Sequence, residues 1–218
     1  GDCADCEQSC QQSTRDRILG SYVGTIGDMG AFSFFPTKNL GAYGDGGLIT
    51  TNNDQLAETA RMLRVHGAKE RYKNLMLGYN SRLDAMQAAV LQVKLRHIDD
   101  WNNKRRWVAK TYSRLLKNVN GLILPEISDG HVFHQYTVRV LGGARELIKQ
   151  SLAETGIGTM IYYPIPQDKL PIYLGKYPAN RVSDRLGQEV LSLPMWPELT
   201  SEQIEFIANR FKEQLGVK

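Results

Sequence analysis

The stretch "AFSFFPTKNLGAYGDGG", residues 31–47, places one lysine, Lys38, between an aromatic apolar run and a glycine-rich segment. A solvated surface lysine needs no such surroundings. "GAFSFF" (30–35) and "GGLITT" (46–51) are short, apolar and rich in β-formers, and read as buried strands. A strand ending at Phe35 would present Ser33 and Lys38 near the end of a sheet, where α/β folds place ligands. Lysine is the side chain that forms imines, and desolvation by Phe32 and Phe34 would lower its pKa toward reactivity. Ser33 could donate to a phosphate, and Gly44, Gly46 and Gly47 would let backbone approach a flat ring. A structural lysine in a strand–loop turn is the competing reading, and the chemistry of the stretch alone leaves both open.

Downstream, "NNDQLAETARMLRVHG" predicts a helix capped by Asn53 or Asp54, with Leu56, Ala60 and Leu63 on one face and Gly67 placed to end it. A loop with Gly78 leads to "SRLDAMQAAVLQVKLRHIDDW". There Met86, Ala89, Val90, Val93 and Trp101 have helical spacing, continued by Trp107, Val108, Tyr112, Leu115 and Leu116. The expectation is one long helix, kinked near Asp99–Asn103, ended by Gly121 and connecting two domains, 1–97 and 98–218. The second domain reads as a small α/β unit: a strand at "HQYTVRV", a helix at "ARELIKQSLAETG" closed by Gly156, and another strand at "IGTMIYY". Its final helix, "TSEQIEFIANRFKEQL", opens with Thr200 and Gln203 in capping-box spacing and stripes Ile204, Ile207 and Phe211 on one face.

The chain has 218 residues, 42% hydrophobic and 23% charged, which is globular composition with room for one large domain or two small ones. No stretch approaches the roughly 20 apolar residues of a membrane span, and no secretory signal is visible at the start. The net charge of +4 is spread along helices. Its densest run, "NNKRRWVAK" at 102–110, reads as a solvated helix face rather than a nucleic-acid surface. Cys3, Cys6 and Cys10 are one ligand short of a zinc site. An odd cysteine count without a signal peptide fits a reducing cytoplasm.

Taken together, "GDMGAFSFFPTKNLGAYGDGGLITTN" and "GYNSRLDAMQAAVLQVKL" resemble the DegT-type nucleotide-sugar aminotransferases, pyridoxal-phosphate enzymes of the aspartate-aminotransferase fold. The resemblance covers roughly residues 20–218 and is weaker in the last hundred, where "HVFHQYTVRV" and "IYYPIPQDKLPIY" are family-like. It implies an α/β fold class: the C-terminal part of a fold-type I transferase, with a partial large-domain sheet, a long connecting helix and a small C-terminal domain. It also implies roles. Lys38 would carry pyridoxal 5'-phosphate covalently, Ser33 would bind its phosphate, and Asn80 would reach the phosphate from the neighbouring subunit. Arg82 would serve substrate or cross-subunit contacts.

Two departures qualify the resemblance. Family members are close to twice this length, so the chain is expected to be half of a split enzyme, an excised fragment or a truncated product, with apolar strand edges that want a partner. The family's acidic segment before the lysine has two possible registers. "DCEQS" at 5–9 makes Asp5 the partner of the pyridine nitrogen and Gln8 the ring-oxygen contact, whereas counting back from Gly20 puts Ser9 in the aspartate's place. Asp5 is preferred because the motif match is local.

The resemblance implies transfer of an amino group, from glutamate, to a nucleotide-linked keto-deoxysugar, with "KNLGAYGDGG" leaning toward the 3-keto group. The implied partners are these substrates and a second copy or a companion N-terminal half, in the cytoplasm, with no nucleic acid, membrane or metal. The alternative is a non-catalytic fragment or regulatory relative. A dehydratase variant of the family would carry histidine where this chain has Lys38.

Overall fold

The computed structural model describes residues 17–18 and 21–216. These fall into two units: one runs to Asp99 and takes in Asp129–His131, and the other comprises Asp100–Ser128 and the chain from Val132 onward. Cys3, Cys6 and Cys10 lie outside the described residues.

The first unit is built from antiparallel ribbons. β1 (Arg17–Ile18) pairs with β2 (Ser21–Tyr22), and β3 (Gly30–Ser33) with β4 (Gly47–Thr50) in the register Ala31↔Ile49, Ser33↔Gly47. The expectation of buried strands is corrected here. Ala31, Phe32, Ser33, Leu48 and Ile49 are all exposed, because among the described residues this sheet has two strands and no layer covers it.

α1 (Asp54–Leu63) is capped by Asn53, whose Oδ1 accepts from the amides of Gln55 (2.9 Å) and Leu56 (3.2 Å). The helix ends before Gly67, because His66 (φ 64°) and Gly67 (φ 74°) both turn left-handed. Gly67 is required there by contact as well, since a Cβ would sit 1.8 Å from the Met76 carbonyl oxygen. The segment after it forms a hairpin, β5 (Ala68–Glu70) with β6 (Lys73–Asn74), that the sequence analysis leaves as loop.

The predicted long helix is two. α2 (Ala85–Leu95) and α3 (Ile98–Leu115) are separated at Arg96–His97, where the His97 amide bonds back three residues to Lys94 (3.0 Å). Asp99 and Asp100, read as a kink, instead occupy the first turn of α3, where the helix dipole favours negative charge. α3 stops at Leu115, not at Gly121. The α2 stripe has the predicted spacing but is not covered within its own chain: Met86 is 79% and Val93 58% exposed, and Leu91 is the buried position.

The second unit holds the hydrophobic core. Its sheet runs β7 (Leu122–Ile123), β8 (Tyr136–Val140) and, on the far side, β9 (Val190–Leu193), all antiparallel. β8 alternates as expected, with Tyr136, Val138 and Val140 buried. α4 (Arg145–Glu154), α5 (Arg181–Glu189) and α6 (Ser201–Gln214) complete the unit. Both halves of the α6 capping box form, Thr200 N to Gln203 Oε1 (3.0 Å) and Gln203 N to Thr200 Oγ1 (3.3 Å).

"IGTMIYY" is not a strand. A single bridge, Met160↔Ser192, is all that pairs, since Tyr163 turns left-handed (φ 55°) and Pro164 and Pro166 follow. α5 and β9 went unassigned from sequence. The basic run on α3 is not wholly solvated either. Arg105 is buried, donating from Nη1 to the carbonyls of Phe133 (3.2 Å), His134 (3.1 Å) and Met195 (3.3 Å), which offsets the cost of burying its charge.

Two core tyrosines make the second unit sensitive to alkali. Tyr112 and Tyr136 stack at 5.1 Å, Tyr112 Oη donating to the Pro194 carbonyl (3.0 Å). Burial pushes both phenols up, Tyr136 to about 12. The folded state therefore favours the neutral ring. That stability is fully present below the unfolded value of about 10 and is lost as pH rises through the folded one. Denaturant unfolding near neutrality and near pH 11 should show a steep alkaline loss that Tyr136→Phe makes shallower; equal slopes would contradict this.

Candidate functional site

Chain geometry around Lys38 follows from local chemistry. After β3, Phe34 continues the pairing, its amide bonded to the Gly46 carbonyl (2.8 Å). Phe35-Pro36-Thr37-Lys38 then closes a turn, the Lys38 amide donating to the Phe35 carbonyl (2.9 Å). Proline sits at the second position of that turn, where its fixed φ is an asset and its missing N–H costs nothing. Lys38 thus leaves a strand end from a stiff turn and is half-buried. Its ammonium has no hydrogen-bond or ion-pair partner among the described residues. Ser33 Oγ accepts from the Phe35 amide (3.2 Å), which leaves its own hydrogen available to donate. Ser33 and Lys38 are therefore held five residues apart on one rigid strand–turn element.

The surrounding aromatic and glycine residues do different work from that expected. The Phe32 ring lies over Gly24, where a Cβ would come within 2.2 Å of Cζ, and Phe34 Cβ is beside Gly46. The glycine-rich segment is clamped onto α2. The Tyr43 amide donates to Gln87 Oε1 (2.8 Å), and Lys94 Nζ donates to the Gly41 carbonyl while lying 5.6 Å from the Tyr43 ring centroid. A side chain at Gly46 would meet Leu83 Cδ1 at 3.0 Å. So the two sequence blocks singled out above are bonded to each other, through Gln87 and Lys94. Sequence reasoning missed both residues. The only signal for them is that they sit seven residues apart, on one side of α2 about 100° round from Met86 and Val93.

Asn80 and Arg82 form a second group. The Tyr79 amide donates to the Leu63 carbonyl (2.7 Å), the His66 amide to the Tyr79 carbonyl (2.9 Å) and the Ser81 amide to the Arg64 carbonyl (3.0 Å), so the loop is laid along the exit of α1. Arg82 Nη2 approaches Asn80 Oδ1 at 3.4 Å. No hydrogen bond or ion pair among the described residues joins this group to Ser33 or Lys38. Asp5, Gln8 and Ser9 lie outside the described residues. The second unit contains a cleft of about 720 Å³ walled by Tyr162, Tyr163, Tyr173 and Tyr177, an aromatic lining suited to a ring.

A sequence model of the DegT/DnrJ/EryC1/StrS aminotransferase family matches residues 4–212. The chain is 48% identical over 216 residues to a "Pleiotropic regulatory protein" of Geobacillus stearothermophilus, a match covering 94% of this chain and 57% of that one. It is 43% identical to a UDP-N-acetyl-3-dehydro-alpha-D-glucosamine 3-aminotransferase of Acidithiobacillus ferrooxidans, covering 95% of this chain and 56% of that protein. Among solved structures, Streptomyces venezuelae DesV in complex with a ketimine intermediate superposes with a TM-score of 0.83 at 37% identity, over 91% of this chain and 54% of DesV. The chain thus spans just over half the length of the relatives it matches.

Proposed function

The chain belongs to the DegT/DnrJ/EryC1/StrS aminotransferase family, and from that premise we propose that it is the lysine-bearing portion of a pyridoxal-phosphate-dependent aminotransferase of nucleotide-linked keto-sugars. The observation that carries this reading is Lys38, without a side-chain partner among the described residues and half-buried on a proline turn, with the Ser33 hydroxyl on the same element. A phosphorylated aldehyde needs an amine to bond and a donor for its phosphate, and this element offers both.

When bound, pyridoxal phosphate supplies electron withdrawal from the carbon that bears the transferred amino group. The chain's own residues do the rest. Lys38 would hold the cofactor through its Nζ and, as a free amine, would serve as the acid–base group that moves the proton of the donor's α-carbon. Ser33 donates to the phosphate, and Asn80 reaches the phosphate bound in the neighbouring subunit. Arg82 would serve substrate or cross-subunit contacts, and in the preferred register Asp5 would keep the pyridine nitrogen protonated and Gln8 would serve the ring oxygen.

The amino donor is glutamate and the acceptor a nucleotide-linked sugar ketone, with C3 favoured over C4; the 3-aminotransferase among the relatives leans the same way. The working assembly is a cytoplasmic homodimer, completed by further sequence or by a companion N-terminal half. Among the described residues no helix is long and apolar enough to cross a membrane. A regulatory relative without turnover is the second reading, and the name of the Geobacillus protein favours it.

Borohydride reduction of the complete assembly loaded with pyridoxal phosphate tests the assignment. Peptide mapping should place the label on Lys38; a label on another lysine, or none, would overturn it.

A further inference from the structure

Lys38 sits on an excursion of the chain that closes on itself. Phe34 begins it, with its amide on the Gly46 carbonyl (2.8 Å), and Ala42 ends it, with its amide on the Phe34 carbonyl (2.8 Å). In between, Gly41 lies against the Phe35–Lys38 turn, since a Cβ there would come within 2.3 Å of the Pro36 carbonyl oxygen. The residues on either side of Ala42 are the two that α2 holds, the Gly41 carbonyl by Lys94 Nζ and the Tyr43 amide by Gln87 Oε1. We infer that Gln87 and Lys94 are positioning residues for the Lys38 amine, fixing the loop that presents it. The inference rests on the reading of Lys38 as the cofactor-bearing lysine and adds two residues that act on it through the loop.

Apolar contact alone does not orient this loop. Ala42 is its buried hydrophobic residue, and Leu91 is that of α2. Hydrophobic burial is non-directional, and so little of it leaves a segment free to slide or rock. Hydrogen bonds fix direction, because they weaken steeply away from linearity. Gln87 and Lys94 stand seven residues apart, about two turns along one side of α2. Holding the segment at two points removes the rotation that a single bond would allow.

The two side chains are committed to this task. Lys94 makes no ion pair among the described residues, and its ammonium is taken up by the Gly41 carbonyl and the Tyr43 ring face instead. Gly41 is itself buried, so without Lys94 its carbonyl would lose a donor that water does not readily replace. The Gln87 amide also lies beside Gly44, where a Cβ would meet Nε2 at 3.1 Å, so this one side chain follows the segment over two residues.

Four variants and two readouts test the inference. Gln87→Leu and Lys94→Met remove the polar contacts while keeping residues that favour a helix. Gln87→Glu keeps an acceptor for the Tyr43 amide, and Lys94→Arg keeps a cationic donor. In the complete assembly with saturating pyridoxal phosphate, borohydride labelling of Lys38 should slow about tenfold in Gln87→Leu and in Lys94→Met. Labelling of the exposed Lys110 and Lys117 should not change. Gln87→Glu and Lys94→Arg should restore most of the Lys38 rate. The second readout needs no cofactor. Reductive methylation of the 218-residue chain with 13C-formaldehyde gives each lysine a methyl NMR signal. That of half-buried Lys38 should stand apart from those of exposed lysines in the wild type and merge with them in Gln87→Leu and Lys94→Met. Unchanged Lys38 labelling and an unmoved methyl signal in both variants would overturn the inference, even if the melting temperature fell. So would a loss that Gln87→Glu shares in full. A wild type not labelled at Lys38 would overturn the cofactor reading instead, and the methyl signal would then decide the role of Gln87 and Lys94 by itself.

Discussion

Mixed with the N-terminal portion of a close relative, the 218-residue chain should aminate a nucleotide keto-sugar at the expense of glutamate, and alone it should do so very little. Lysine supplies the covalent chemistry, but transfer also needs the cofactor fixed and its nitrogen protonated. The matched relatives devote more than two fifths of their length to sequence outside the match, for the chain covers 56–57% of them. On the proposed reading that remainder stacks on the ring and donates to the phosphate. Losing positioning groups of this kind costs on the order of 100-fold each. Lys38→Ala in the mixture should return turnover to background, measured as glutamate-dependent formation of the amino sugar. If the chain alone turned over at about 1 per second or faster, the account of what the remainder supplies would be wrong. A mixture that stayed inactive while Lys38 was labelled would favour the regulatory reading.

Local chemistry was the part most legible in the sequence. The Thr200–Gln203 capping box, the Asn53 cap and the alternation of β8 are each set by neighbours a few residues away, and all formed. The Phe35–Lys38 turn follows from Pro36 in the same way. What could not be read was who covers whom. A helical stripe reports that a face is apolar, not which surface meets it, so the helical spacing of Met86 and Val93 did not say that both stay exposed in this chain. Likewise a basic run looks solvated until the three carbonyls that hold Arg105 are brought in from Phe133, His134 and Met195, up to 90 residues away. In the candidate site, the placing of Ser33 and Lys38 on one element was legible because one turn joins them. Gln87 and Lys94, which tie that turn's glycine segment to α2, act across some 44 and 53 residues and left no local mark.

The uncovered α2 face leads to the second large effect, on assembly. Met86, Ala89, Val90 and Val93 sit at i, i+3, i+4 and i+7, so they share one helix face. Leu77, 96% exposed, and Leu75 add apolar surface in the segment just before α2. Within the first unit only Ala42 and Leu91 among the described hydrophobic residues are buried, so its described part has little core. A contiguous exposed apolar face of this kind marks a contact surface. It suits a second copy of the same chain. Pairing two such helices antiparallel across a two-fold axis would set apolar stripe on stripe and bring Asp84, at one end, toward Arg96 at the other end of the facing copy. The sedimenting species at micromolar concentration should accordingly be a dimer or larger. Met86→Asp together with Val93→Asp should shift it toward monomer with the helical signal retained, because exposed positions tolerate charge in the separate chain. The same variant should weaken cofactor retention at Lys38, since Asn80 is proposed to serve the site of the neighbouring copy. A well-folded wild-type monomer at that concentration would remove both the interface and the cross-subunit role of Asn80.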